Sequence, residues 1–250
     1  MTALAVRYKK QLEVAGDQGK SVSIDEGVRR VKAMAGERAD RSYKGFKKRK
    51  ALDQTVEIVV HLGIDPKQAD QMLRGSISLP KGIGQTKRVI AFCDPALAEK
   101  AKAAGAIEAG ADELIDKVQK GWMDFDVAVA HPQLMGKVGK LGRVLGPSGK
   151  MPSPKAGTVT PDIETAVREY TAGKLEFRND AGGNVHLPVG KASFADADLK
   201  VNIEAVVSHL TRIKPPTAKG HYIKRVALSA AHTPSVTLAV GGPGGGATEE

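Results

Sequence analysis

The apolar positions along the chain follow two different periods. Val56, Ile58, Val60 and Leu62 alternate with Glu57, Val59 and His61, the two-residue period of a strand with one buried face, and Gly63 and Pro66 end it. The same alternation returns late in the chain. Leu175 to Arg178 and Asn184 to Pro188 read as strands joined in a hairpin around Ala181-Gly182-Gly183, and Tyr222 to Ala230 and Ser235 to Val240 as two more. In the strand from Tyr222, alternation sets Lys224 on one face and Ile223 and Arg225 on the other, which puts Arg225 in the apolar phase.

The middle of the chain is patterned differently. Arg88 to Cys93 and Asp126 to Ala130 are continuous apolar runs, as expected of strands buried on both faces. Helical segments at Pro95 to Ala104, Asp112 to Lys120, Leu134 to Leu145 and Ile163 to Thr171 alternate with them. Two amphipathic helices lie outside this block. Ser23-Ile24-Asp25-Glu26 has the form of a capping box, and Ile24, Val28, Val31 and Met34 follow at helical spacing as far as Gly36. Leu199 to Ile213 turns Ile203, Val206, Val207 and Leu210 inward. A short helix is expected around Lys67 to Met72 and an extended segment at Ser76 to Leu79, before Pro80 breaks the chain.

This order predicts a mixed α/β and α+β protein of two domains. The outer domain is α+β and discontinuous, built from residues 1–82 plus 174–250, with 1–20 and the Gly-rich 241–250 expected to be disordered. Residues 83–173 form an inserted, doubly wound, Rossmann-like α/β domain. Two crossings, at 80–83 and 172–174, would act as a hinge.

Charge adds a partner class to this picture. The 250 residues carry a formal net charge of +10, which suits a polyanion, while aromatics at 4% leave few stacking platforms for bases. The charge is concentrated. Residues 41–50 hold six basic side chains and no acid, with Tyr43 and Phe46 among them. Val127 to Pro161 is free of Asp and Glu, and carries Lys137, Lys140, Arg143, Lys150 and Lys155 among many glycines and prolines. Ala205 to Thr248 is also acid-free, with Arg212, Lys214, Lys219, Lys224 and Arg225. Glycine lets a phosphate backbone approach closely, and an absence of carboxylates removes repulsion; the bland alternative is an ordinary solvated surface.

Motifs for other chemistry fail on inspection. Lys81-Gly82-Ile83-Gly84 precedes a strand, whereas a dinucleotide fingerprint follows one. Gly146-Pro147-Ser148-Gly149-Lys150-Met151 lacks the first glycine of a phosphate loop and has Met151 where Ser or Thr would hold magnesium. Cys93, the only cysteine, ends an apolar run and reads as a buried small hydrophobe. The six histidines show no helical i, i+4 pair, and no catalytic triad or carboxylate pair stands out. No catalytic residue, metal or cofactor is expected. With neither a signal-like N-terminus nor a membrane-length apolar run, the expected location is the cytoplasm, away from membranes. A nucleotide-using α/β enzyme and a general DNA-binding protein are the rival readings.

Several blocks then carry a specific resemblance. Gly121-Trp122-Met123-Asp124-Phe125-Asp126, the run Met135 to Pro147, and Met151-Pro152-Ser153-Pro154-Lys155-Ala156-Gly157 resemble the large-subunit ribosomal protein L-one family. Leu73 to Pro80, Glu176-Phe177-Arg178-Asn179-Asp180, Pro188 to Phe194 and Lys219 to Lys224 agree, in order. The resemblance implies two hinged domains and binding to the 23S rRNA stalk near the tRNA exit site. It further implies help in releasing deacylated exit-site tRNA, contact with other ribosomal components, and repression of the protein's own operon through its mRNA. The implied rRNA contact lies on the first strand and the C-terminal strands, here Thr55, Glu57, Ser229, Ala231, His232 and Thr233, with Arg178, Lys219, Lys224 and Arg225 as further RNA-binding residues. Two departures stand out. The family's usual Thr-Met-Gly is Ala231-His232-Thr233 here, and Leu52 stands before Asp53 where the family often has Phe.

The basic segment looks inserted relative to the family pattern. Lys44, Lys47, Lys48, Arg49 and Lys50 are expected to add phosphate contacts, as Lys137, Lys140, Arg143, Lys150 and Lys155 would elsewhere. A chain lacking residues 40–50 should bind stalk rRNA more weakly and with a shallower salt slope, by about one unit per lost phosphate contact. Filter binding at several salt concentrations checks this; an unchanged slope rejects the added contacts.

Overall fold

The computed structural model describes residues 3–17, 19–36, 53–68, 70–218 and 220–240. In chain order its main elements begin with α1 (Ala3–Ala15), α2 (Ile24–Gly36), β1 (Thr55–Leu62) and β2 (Arg74–Ile77). Next come β3 (Val89–Phe92), α3 (Pro95–Ala103), β4 (Glu108–Gly110), α4 (Asp112–Gln119) and β5 (Val127–Ala130). Short helices α5 (Met135–Val138) and α6 (Gly142–Leu145) precede α7 (Ile163–Thr171). The chain ends with β6 (Leu175–Arg178), β7 (Asn184–Lys191), α8 (Asp196–Arg212), β8 (Ile223–Ala230) and β9 (Val236–Leu238).

Two compact units result. One takes in Met1–Leu73, Leu79–Ile83 and Arg178–Glu250, and the other Arg74–Ser78 and Gly84–Phe177. The expected boundaries at 82/83 and 173/174 therefore shift. Strand β2 pairs with β6, and that two-stranded ladder groups with the middle of the chain.

The discontinuous unit is built on an antiparallel sheet of order β7-β1-β8-β9. Strand β1 is central, and its inward residues Val56, Ile58 and Val60 are fully buried against Val185, Leu187, Val226 and Leu228. Val28, Val31 and Met34 of α2, with Leu199, Ile203, Val206 and Leu210 of α8, complete that core. Each such side chain contributes about 1.5–3 kcal/mol when withdrawn from water. At the start of α2 the Ser23 hydroxyl accepts from the Glu26 N–H at 3.3 Å. The other half of the capping box is not made, because the Glu26 carboxylate binds Arg30.

Asn202 is the buried polar residue that the helical pattern did not reveal. It is fully buried on α8. Its amide donates to the carbonyls of Gly82 and Val189 at 3.0 and 2.8 Å, and its oxygen accepts from the Lys81 N–H at 3.1 Å. The segment Lys81-Gly82 is thus bonded to α8, with the Lys81 ammonium 3.1 Å from Asp198. Val207, expected inward, is only half-buried.

Three local expectations are corrected. Residues 1–20 are not wholly disordered, since α1 packs on α2: Gln11 is buried and donates to the Met34 carbonyl at 3.1 Å, and Arg30 donates to the Ala15 carbonyl at 2.9 Å. Pro66, Lys67, Asp70 and Gln71 lie in turns rather than a helix. There the Asp65 carboxylate accepts from the Lys67 N–H and the Gln71 side chain accepts from the Asp65 N–H, local bonds that compete with helix formation. Finally, β6 and β7 do not form a hairpin ladder. They share one bridge, Asn179 to Val185, while β7 pairs along its length with β1.

The other unit holds a parallel sheet of order β4-β3-β5. Apolar clusters cover both faces. Ile90, Phe92, Ala128 and Ala130 meet α4 and residues 134–145, whereas Val89, Ala91 and Val129 meet Ala101 of α3 and Ile163, Val167 and Tyr170 of α7. Cys93 is buried in the second cluster. The helix expected over Leu134 to Leu145 is present as an unbroken helical run that alternates between 3-10 and α geometry, in a stretch with glycine at 136, 139 and 142. Its inward residues Val138, Leu141 and Leu145 keep their burial. β4 is a three-residue edge strand without a sequence signal of its own.

The Asn202→Ala variant should lose about 1–3 kcal/mol, because one buried and one half-buried carbonyl lose their donor. Chemical denaturation followed by circular dichroism measures this; an unchanged midpoint and slope would show that Asn202 holds nothing.

Candidate nucleic-acid interface

Alternation on β1 does more than bury one face. It turns Thr55, Glu57, Val59 and His61 to the opposite, uncovered side of the sheet. Strand register fixes their neighbours. Pro188, Glu57 and Ser229 form one cross-strand row, His186, Val59, Ala227 and Thr237 the next, and Asn184, His61 and Arg225 the third. Beyond Glu57, the Lys191 ammonium donates to the Thr55 hydroxyl at 2.8 Å. The Ala231 N–H donates to the Thr55 carbonyl at 3.0 Å, which draws the β8–β9 loop to the same end.

The structure thus gathers Thr55, Glu57, Ser229, Ala231, His232 and Thr233 at one end of an open sheet face. Glu57 and His232 are exposed, and Thr55, Ser229, Ala231 and Thr233 are half-buried. The Thr233 hydroxyl is engaged with the protein backbone, accepting from the Ala230 N–H at 2.9 Å and facing the Ala230 carbonyl at 3.0 Å.

At the other end of the face a β-bulge corrects the expected phase of Arg225. His61 pairs with Arg225 but Leu62 pairs with Ile223, so Lys224 is an extra residue in β8. Both Lys224 and Arg225 are consequently exposed, and the buried alternation resumes at Val226 and Leu228. Arg225 donates to the Thr237 hydroxyl at 3.2 and 2.7 Å. Nearby, His61 Nδ1 lies 2.8 Å from the Asn184 side-chain oxygen. Asp180 closes the 180–184 turn, accepting from the Gly182 and Asn184 N–H groups at 2.8 and 2.7 Å. Arg178 is exposed at the end of β6, outside the four-stranded sheet. Lys44, Lys47, Lys48, Arg49, Lys50 and Lys219 lie outside the described residues.

The basic residues of the parallel-sheet unit divide by environment. Lys140 and Arg143 are exposed. Lys137 is exposed but paired with Asp112 at 2.7 Å. Lys150 is half-buried: its ammonium donates to the Met123 carbonyl at 3.1 Å and to that of Phe125, over whose ring it sits at 5.0 Å. It is taken up by the fold rather than offered to a partner. Lys155 lies on a short turn, Pro154–Ala156, and its side chain is outside the description. A cleft of about 740 Å³ opens beside β4, lined by Lys102, Glu108, Asp112 and Lys117 among others. Its charges are largely paired internally, Lys117 with Glu108 and Asp112 with Lys137. Among the described residues, no group of His, Cys, Asp and Glu is arranged to hold a metal ion, and no helix is long and apolar enough to cross a membrane.

This end of the open face gathers hydroxyls, histidines and cations, and comparison with known proteins gives the chain a family. The model of the Ribosomal protein L1p/L10e family matches residues 43–234, and the chain belongs to that family of structural, non-enzymatic ribosomal proteins. It is similar to the large ribosomal subunit protein uL1 of Lactobacillus acidophilus, 47% identical over 232 residues, covering 92% of this chain and 95% of that protein. The uL1 protein of Nocardioides sp. is 51% identical over 190 residues, 76% of this chain and 79% of the relative. That of Streptomyces coelicolor is 54% identical over 186 residues, 74% and 77% respectively.

Hydrogen bonds from the Asn184 side chain and backbone, and then from the Gly182 N–H, hold the Asp180 carboxyl well below the usual carboxylate range. A depressed folded pKa stabilises the turn above the unfolded value of about 3.9, and that contribution is lost only as pH falls through the lower folded value. Asp180 should therefore remain ionised in a carbon-detected titration when ordinary carboxylates have taken up protons. The Asn184→Ala variant should return it toward the ordinary range; an ordinary midpoint in the native protein would contradict the bonded turn.

Proposed function

We infer that the chain is a structural protein of the large ribosomal subunit that binds 23S rRNA at the mobile stalk near the tRNA exit site. The binding surface is the open face of the four-stranded sheet, and in particular its end at Thr55, Glu57, Ser229, Ala231 and His232. The single observation that carries this reading is the β1–β8 register, which sets Glu57 opposite Ser229 and bonds Thr55 to Ala231. Family membership supplies the ribosomal setting.

The chemistry of the face suits structured RNA. The Thr55 hydroxyl accepts from Lys191 and keeps its own proton for an outside acceptor. Glu57 accepts from donors such as base amino groups or ribose hydroxyls, a contact that phosphate cannot make. Arg225, two strand rows from Glu57, and Lys224 at the bulge beside it supply positive charge that releases counterions from the RNA backbone. Such a division separates the groups that discriminate from those that attract.

In the parallel-sheet unit, Lys140 and Arg143 stand exposed on a turn-rich segment where a Cβ at Gly136, Gly139 or Gly142 would meet nothing within 4 Å. This open basic surface suits a tRNA backbone, and supports a role in guiding deacylated tRNA from the exit site. Repression of the chain's own operon rests on the family resemblance. It would use the sheet face that takes rRNA, so the two RNAs would compete. The working location is the ribosome, in the cytoplasm.

Filter binding tests the reading with a 23S stalk fragment, duplex DNA of equal length and a radiolabelled nucleotide. Retention of the stalk fragment should exceed that of duplex DNA by a factor of about 10³ or more. Equal retention of the two would mean unspecific charge binding, and nucleotide binding without RNA retention would mean the rival enzyme reading. The operon mRNA leader should displace the stalk fragment; simultaneous binding of both would reject a shared face.

A further inference from the structure

Among the described residues, the parallel sheet ends on an edge with no strand beside it. β4 lies outermost in the order β4-β3-β5 and is paired on one side only. Glu108 pairs with Ile90, and the Gly110 carbonyl accepts from the Cys93 N–H at 3.1 Å. Alternation along the ladder turns the N–H and C=O of Ala109, between them, to the open side. Sheet edges are commonly shielded by a covering helix or loop. Here the edge forms the floor of the cleft of about 740 Å³. Small residues make the room, with Ala98 of α3, Ala109 and Gly110 of β4, and Ala111 lining it. Next to the floor stands Ile107, 48% exposed and one of four large apolar side chains left in solvent among the described residues.

The two walls of the cleft lie on opposite faces of the sheet. Ala101 of α3 packs with Val89 and Ala91, whereas Leu114 of α4 packs with Ile90 and Phe92. Each wall keeps one charge that the fold does not use. Lys102 on the α3 wall and Glu113 on the α4 wall are exposed, and neither side chain makes an ion pair or hydrogen bond among the described residues. Lys117 holds Glu108, and Lys137 holds Asp112. A cation on one face and a carboxylate on the other match what a strand can present, because its successive side chains point to opposite faces. Ala109 packs on the α3 side. A residue paired with it would therefore point toward Lys102, and that residue's neighbours toward Glu113.

We propose that the β4 edge is a docking site for an extended segment of another protein, which adds as a strand beside β4 and carries an acidic and a basic residue in succession. The acid, in register with Ala109, meets Lys102, and the base next to it meets Glu113. Main-chain bonds to Ala109 hold the segment, the two charges fix its register, and an apolar residue two places from the acid covers Ile107. The site belongs wholly to the parallel-sheet unit and is independent of the RNA reading of the four-stranded sheet.

The probe is the synthetic peptide Thr-Val-Thr-Glu-Lys-Val-Thr, blocked at both ends and titrated into the isotopically labelled full chain. Amide resonances of Ile107 to Leu114 should shift, and the Ala109 amide should exchange with solvent more slowly once it is bonded. The same peptide N-methylated at alternate backbone nitrogens should bind about tenfold more weakly. Ala109→Pro deletes the outward N–H, leaves the ladder with β3 intact, and should weaken binding to a similar degree. Lys102→Gln and Glu113→Gln should each cost up to about fivefold, and neither should alter the binding of a peptide with Gln-Gln in place of Glu-Lys. Absence of binding, or shifts confined to other residues, overturns the site. Equal affinity for the N-methylated peptide overturns strand addition, whether or not Ala109→Pro folds, and native affinity in both charge variants overturns the charge pattern. Shifts of the same amides on concentrating the chain alone would make the occupant a second copy, and displacement of the peptide by the 23S stalk fragment would make the cleft an RNA surface. Either result overturns the proposed partner.

Discussion

The open sheet face depends on one constraint, the two-residue alternation of β1 between β7 and β8. Val56, Ile58 and Val60 must all be buried on one side, and a one-residue slip would send them to solvent. The register that satisfies the core therefore also determines what the other side displays. Glu57 stands between Pro188 and Ser229, and His61 between Asn184 and Arg225, in the register that pairs Ile58 and Val60 with Leu187, Val185, Leu228 and Val226 beneath them. A packing requirement thus sets the spacing of the polar groups.

That arrangement suits a partner recognised by shape. The sheet is covered by α2 and α8 on its apolar side, so its open face is a rigid platform. Two irregularities adjust it without disturbing the core. The bulge at Lys224 brings Arg225 onto the outer surface, and the left-handed turn after β8 leaves His232 exposed. Bulges and strained turns commonly re-aim side chains at functional sites. Both lie on β8 or its following loop.

The legible parts of the chain were those governed by a single period. β1 was readable because every second residue is apolar, and β3 and β5 because both faces are buried. α7 and the inward stripe of α8 followed from helical spacing. What escaped notice was set by tertiary partners. α1 is polar enough to look unstructured, and its order comes from Gln11 and Ala15 meeting Met34 and Arg30 of α2. The helix expected at 134–145 kept its inward residues but alternates between 3-10 and α geometry in a glycine-rich stretch. β7 chose β1 over β6 because β1 offers a full-length partner. Asn202 looked like an ordinary polar residue on a helix, yet the carbonyls it serves lie far away in sequence. Within the site, β1's outward residues could be read directly, while Arg225 was assigned to the wrong phase because a bulge leaves no composition signal. His232 was visible only as a departure from a familiar triplet; its backbone conformation was not.

We propose that RNA binds the outward face of the β7-β1-β8-β9 sheet. Ala227 lies in the middle of that face, half-buried, opposite Val59 and beside Thr237. An Ala227→Glu variant places a carboxylate among the proposed phosphate contacts while leaving the inward phase of β8 untouched. Its circular dichroism spectrum should match the native one, and its affinity for the 23S stalk fragment should fall at least tenfold, as for a like charge set in an interface. A folded Ala227→Glu protein that binds the fragment with native affinity would contradict the claim.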